Sequence, residues 1–128
     1  MIALLALLLF APPAQPPEFR VIADLANYLS EGNAPGAMDA FDKNMPGYQK
    51  LSDQVFAMVA QADVSCTIDP VEQKGNTIEV DWFLKLNAKS ETGPTERRQM
   101  RVQLTIEKVG KRWKITAMDP VTILRAPE

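Results

Sequence analysis

Residues Ile78–Leu86 read IEVDWFLKL, with apolar and polar side chains alternating almost without a break. In an extended chain successive side chains point to opposite faces. Ile78, Val80, Trp82, Leu84 and Leu86 therefore share one face, while Glu79, Asp81, Phe83 and Lys85 share the other. The stretch is a strand with one dry side and one wet side, which places it in an antiparallel sheet covered on one face. The same period runs on either side of it. Val64, Cys66 and Ile68 line one face of an earlier strand, which Pro70 is expected to kink or end as an edge strand. Lys74-Gly75-Asn76 and the segment around Gly93-Pro94 are turns. Met100, Val102, Leu104 and Ile106 line a third strand. A tight turn around Gly110 leads to Trp113, Ile115 and Ala117 on a fourth.

Upstream of Asp63 the period is helical. Phe19, Ile22, Leu25, Ala26 and Leu29 form a first stripe, which Gly32 ends. Asn33 caps a second, with Pro35 in its first turn and Ala34, Ala37, Met38, Phe41 and Met45 on its apolar face. After Pro46-Gly47, a third stripe carries Tyr48, Leu51, Val55, Met58, Val59 and Ala62. Helices first and then a meander with one apolar face define an α+β fold, a roll in which the N-terminal helices pack on a curved four-stranded antiparallel sheet.

The chain has 128 residues, 46% apolar and 23% charged, which suits one domain able to close its own core. A net charge of −2 gives no general attraction to nucleic acid or anionic lipid. A single cysteine excludes an internal disulfide, and the absence of histidine removes the commonest general base and metal ligand. No metal or cofactor set is visible. The opening MIALLALLLFAPPAQPP reads as a secretory signal over residues 1–14. Its apolar run, Ile2 to Ala11, is about half of the roughly 20 residues needed to cross a bilayer. Residues 15–18 follow as a proline-rich spacer and 19–128 as the domain. The expected location is periplasmic or secreted, with no membrane attachment after processing.

With its elements in this order, the chain resembles the nuclear transport factor 2-like superfamily, which has the cystatin-like fold. The likeness rests on the helix ending in MVAQADVSCTI, the strands TIEVDWFLKL and RRQMRVQLTIEK, and the closing GKRWKITAMDP, from about Phe19 to Leu124. It is nearest to small exported bacterial members of unassigned activity. The resemblance implies a curved sheet wrapped around helices into a cone, with a cavity at its wide end. Many members also carry a short strand between the second and third helices, for which Asn44–Gln49 leaves little room.

Family enzymes place carboxylates, or a histidine, inside the cone. Here the inward rows beginning at Ile78, Met100 and Trp113 carry no ionisable residue, and Asp81 and Arg101 lie on the outer parity. No catalytic residue is assigned. The charged row reads as a solvated face with cross-strand pairs such as Asp81 with Arg101. Two non-catalytic roles are expected. A small apolar ligand would lie against Trp82, Leu84, Val102, Leu104 and Trp113, although these residues are equally a plain core. A homodimer or protein partner would use the outer face, where Phe83 and Met118 interrupt a polar parity beside Asp81 and Arg101. The alternative is a small isomerase or hydrolase with a helix carboxylate, Asp24, Asp39 or Asp42. Cys66 reads as a buried, inert thiol. The cluster Arg97, Arg98, Arg101, Lys108, Lys111 and Arg112 is diluted by Glu96 and Glu107 and makes no nucleic-acid site.

Overall fold

The computed structural model describes residues 16–90 and 92–127. The expected signal at 1–14 and Gln15 of the spacer lie outside them. Three helices precede four strands: α1 (Pro17–Ser30), α2 (Ala34–Asp39), α3 (Tyr48–Gln61), β1 (Ala62–Lys74), β2 (Thr77–Ala88), β3 (Thr95–Val109) and β4 (Arg112–Asp119), with a 3₁₀ turn at Thr122–Leu124. The strands form one antiparallel sheet in the order β1-β2-β3-β4. Pro17 and Glu18, expected at the end of the spacer, form the first turn of α1.

The alternation in β2 is realised completely: Ile78, Val80, Trp82, Leu84 and Leu86 are all buried. Ile22, Leu25 and Leu29 of α1 and Leu51, Val55 and Met58 of α3 close over that face. At α2, the Asn33 Oδ1 accepts the Gly36 N–H at 2.9 Å, capping the helix as the sequence implies. The helix is shorter than its apolar stripe, however, and ends at Asp39. Phe41 and Met45 are buried from irregular backbone instead. There Phe41 forms a single parallel bridge with Ile115, in which the Asp42 N–H donates to Ile115 O and the Ile115 N–H to Ala40 O, both at 2.8 Å. That bridge ties the helical layer to the β4 edge, between α2 and α3, at the place where the resemblance implies a short strand.

Two irregularities correct the sequence reading. Pro70 does not end β1: the strand continues to Lys74 past a bulge that leaves Val71 half exposed and opposite no residue of β2. In β4 the pairing slips one residue, from Ile106 with Ile115 to Thr105 with Ala117, so that Thr116 is extra. An extra residue reverses the parity beyond it. Ala117, expected inside, is exposed, and Met118, expected on the outer face, pairs with Leu104 and is buried. Met118 is therefore core, and the outer patch loses half of its expected apolar pair.

Trp82 is fully buried, and its Nε1 has no hydrogen-bond partner. The polar group beside it is the Cys66 thiol, which burial pushes up to about 12 while the indole pulls it down. A buried N–H without an acceptor has a desolvation cost that nothing returns. Trp82→Phe, which loses ring volume but also that N–H, is expected to destabilise by only about 1 kcal/mol, against about 3–5 kcal/mol for Trp82→Ala. Urea unfolding of both variants checks the difference.

Candidate functional site

The cone interior is packed rather than open. Trp82, Val102 and Leu104, three of the expected ligand-lining residues, have no exposed surface, and Leu84 has almost none. Trp113 is half-buried at the β4 edge. The chain's own C-terminal segment adds to the packed core. Ile123 and Leu124 are fully buried there, and the 3₁₀ turn that carries them lies against α3 and β3.

One charged residue among those described is buried with them. Arg98 has the inward parity of Met100 and Val102, although it was counted with the surface cations in the sequence reading. Its guanidinium donates from Nε to Glu96 Oε2 at 2.6 Å, and from Nη1 to the carbonyls of Ile123 at 2.8 Å and Arg125 at 2.6 Å. A weaker contact joins Nη2 to Ala126 O at 3.5 Å. From the other side Gln54 Oε1 accepts the Ala126 N–H at 2.6 Å. Ahead of Met100 the inward parity of β3 thus holds two ionisable groups, Glu96 and the buried Arg98. The usable sequence signal for Arg98 was its even number in β3, in register opposite Leu84.

The outer face is a second candidate. Its cross-strand rows are Ser65, Lys85 and Arg97; Thr67, Phe83 and Gln99; and Asp69, Asp81 and Arg101. Beyond these, Glu72 faces Glu79, which faces Gln103, which faces Asp119. A shallow groove of about 380 Å³ lies over Phe83, bordered by Ser65, Thr67, Lys85, Arg97 and Gln99. Phe83 is 38% exposed. Arg101 donates to Asp81 at 2.6 Å and to Glu79 at 2.5 Å, and these carboxylates hold its guanidinium protonated. Lys85 and Arg97 take part in none of the ion pairs found among the described residues. The expected pair of Asp81 with Arg101 is present. It is solvent-exposed and of the kind that adds little stability.

The helix carboxylates give no catalytic arrangement. Asp24 and Asp39 border one small cleft of about 90 Å³ with Tyr28 and Trp113. Asp39 pairs there with Arg112 and with Lys114, whose Nζ also reaches the Asp39 carbonyl. The Arg112 hydrogen bond, helped by Lys114, holds the Asp39 carboxyl below its ordinary 3.8. A general acid at neutral pH needs the opposite shift. Asp42 accepts the Asn44 N–H within its own loop. Because the folded-state value is depressed, the Asp39 contribution is complete above 3.8 and is lost as pH falls below it. Asp39→Asn should therefore lower stability slightly at pH 7 and flatten its further loss on acidification below about pH 4. Thermal melts at pH 7 and pH 3 on both proteins read this out. Among the described residues no cluster of His, Cys, Asp and Glu has the makings of a metal site.

Helices packed on one face of a four-stranded antiparallel sheet define an α+β roll, and comparison with solved structures identifies which. A candidate scytalone dehydratase from Novosphingobium aromaticivorans matches over 80% of this chain and 78% of its own, with a TM-score of 0.62 at 13% identity. Nuclear transport factor 2-like proteins of unknown function match from Cytophaga hutchinsonii (89% of this chain, 100% of that one, TM-score 0.52, 12% identity) and Shewanella oneidensis (78% and 92%, 0.53, 14%). The fold is the nuclear transport factor 2-like one. No protein-family model and no curated protein matches the sequence. Identities this low establish architecture and leave the chemistry to the residues.

Proposed function

We propose that this is a non-catalytic, exported domain whose working surface is the outer face of its sheet and whose partner is a second copy of itself. The observation that carries this reading is the groove over Phe83, with two cations, Lys85 and Arg97, that have no ion-pair partner among the described residues. Acidic rows lie on the other side of the same phenylalanine. A two-fold axis along the strands would lay Lys85 and Arg97 over their own copies. An axis along the Thr67–Phe83–Gln99 row instead lays Lys85 over Asp81 and stacks Phe83 on Phe83, with Arg97 over Arg101, whose charge Asp81 and Glu79 already offset. The second arrangement is self-complementary, as an isologous dimer requires. An apolar ligand inside the cone is the lesser reading, because Trp82, Val102 and Leu104 already fill that space. A carboxylate-dependent isomerase or hydrolase is disfavoured by the downward shift at Asp39.

Export is supported by the apolar run ahead of Pro12-Pro13. Native mass spectrometry on protein recovered from an exporting host tests both parts. The expected species is a dimer of chains beginning near Gln15. Lys85→Glu, which sets like charges across the interface, should raise the dimer Kd by about a hundredfold or more, whereas Lys85→Arg should leave it nearly unchanged. A monomer at roughly 100 μM, well above the micromolar range of weak specific pairs, sinks the dimer. An unprocessed cytoplasmic chain sinks export.

A further inference from the structure

The outer face of the sheet carries an electrostatic anomaly. Lys85 of β2 and Arg97 of β3 stand directly opposite one another in the ladder, and like charges in that position repel. The third member of their row, Ser65, is neutral. Elsewhere on the same face the cation is compensated, since Arg101 holds both Asp81 and Glu79. Lys85 and Arg97 are exposed and have no ion-pair partner among the described residues. Two cations in register are half of an interaction whose other half is an anion. Opposite side chains start about 5 Å apart, so one carboxylate between them reaches both. Arg97 offers it a planar fork and Lys85 a point charge.

The apolar half of the same occupant is set by the next row. Phe83 faces Thr67 on one side and Gln99 on the other. Its half-exposed ring borders the groove that Lys85 and Arg97 also line, and the volume of about 380 Å³ is that of a small-molecule site. We propose that this groove is a site for an aromatic monocarboxylate, its ring stacked on Phe83 and its carboxylate seated between Lys85 and Arg97. Side chains two residues apart on one face of a strand are about 7 Å apart. That spacing favours an acid on a short tether, an arylalkanoate, over one attached directly to the ring. The Ser65 and Thr67 hydroxyls border the groove as further donors. The ring takes the place that Phe83 of a second copy holds in the pairing proposed above, so ligand and partner exclude each other. The site goes beyond that reading and does not depend on it.

Hydrocinnamate is the probe, with propionate lacking the ring and hydrocinnamyl alcohol lacking the charge. Each is titrated into isotope-labelled protein, diluted until it is monomeric, and followed by amide NMR shifts. Hydrocinnamate should bind saturably, with its largest shifts at Phe83, Lys85, Arg97 and Gln99. Either control compound, and either of the variants Arg97→Gln and Phe83→Ala, should weaken binding by about tenfold or more. Lys108→Gln, which removes an exposed cation of β3 outside the groove, should leave it unchanged. Equal affinity for the alcohol overturns the cation pair as the anchor. Equal affinity for propionate overturns Phe83 as the platform. Weakening by Lys108→Gln as large as that by Arg97→Gln overturns a local contact, and no saturable binding overturns the site. Native mass spectrometry scores the pairing separately. A chain that stays monomeric yet binds hydrocinnamate sinks the pairing and keeps this site, and a dimer whose diluted monomer does not bind it does the reverse. Where both hold, saturating hydrocinnamate should convert dimers to monomers, and a dimer that retains the ligand overturns the exclusion.

Discussion

Replacing Arg98 with alanine is expected to lower the unfolding free energy by about 3–5 kcal/mol, from the cavity left by a large buried side chain and from backbone carbonyls left without a donor. For a domain of this size that corresponds to a fall in melting temperature of about 12 °C or more. The size follows from what is left behind. The carbonyls of Ile123 and Arg125 lose their donor while Ile123 and Leu124 stay buried around them. Backbone oxygens closed away from water without a partner cost more than the hydrogen bond itself. Arg101→Ala is the matched control. It deletes an arginine with two carboxylate partners, but its side chain is 51% exposed, so the expected loss is far smaller, as for an exposed ion pair. Denaturant unfolding of the two variants gives the comparison, and similar losses would remove Arg98 from its structural role.

Phe41→Ala is expected to cost about 3–5 kcal/mol, the range for deleting a buried aromatic. Phe41 is 1% exposed and lies where the chain leaves α2 and bridges to Ile115. Two losses coincide at this position. The core gains a cavity, and the strand-like attachment of the helical layer to β4 loses its packing. Phe41→Leu, which keeps most of the volume, should cost less than half as much. Amide exchange should show faster opening at Ile115 in the alanine variant than at Val102, which lies in the middle of the sheet. Equal acceleration at both sites would mean that Phe41 acts only through global stability.

The regular parts of this molecule were legible because their periods are unambiguous. IEVDWFLKL offers one face to bury and one to wet, and each of its apolar residues was placed correctly. The helical stripes of α1 and α3 read equally well. What failed was local. The stripe from Ala34 to Met45 has helical spacing throughout, but α2 stops at Asp39, and the later residues are buried by tertiary bridging rather than by helix. In β4 the sequence RWKITAMD has apolar residues on both parities, and alternation cannot say where an extra residue sits. Met118 consequently changed sides. Of the candidate site, the outer row around Phe83, Asp81 and Arg101 was visible in advance. Arg98 was hidden by its type: a buried arginine is recognised through its partners, and those belong to a segment 25–28 residues farther along the chain.

Pro70 and the unpaired Val71 have a consequence for the protein's life in solution. β1 is a sheet margin, and a margin with every amide free invites another chain to continue the ladder. Here the outward run is interrupted at its middle by a residue with no N–H to offer, followed by a kink that moves the next amides out of line. Nearer α3, the Ser30 hydroxyl occupies the Cys66 amide, accepting from its N–H at 3.0 Å. Open-ended stacking is therefore refused along the length of the margin. On the face-to-face pairing proposed above, which closes after two copies, crowding of the folded protein should yield pairs rather than fibres built through β1.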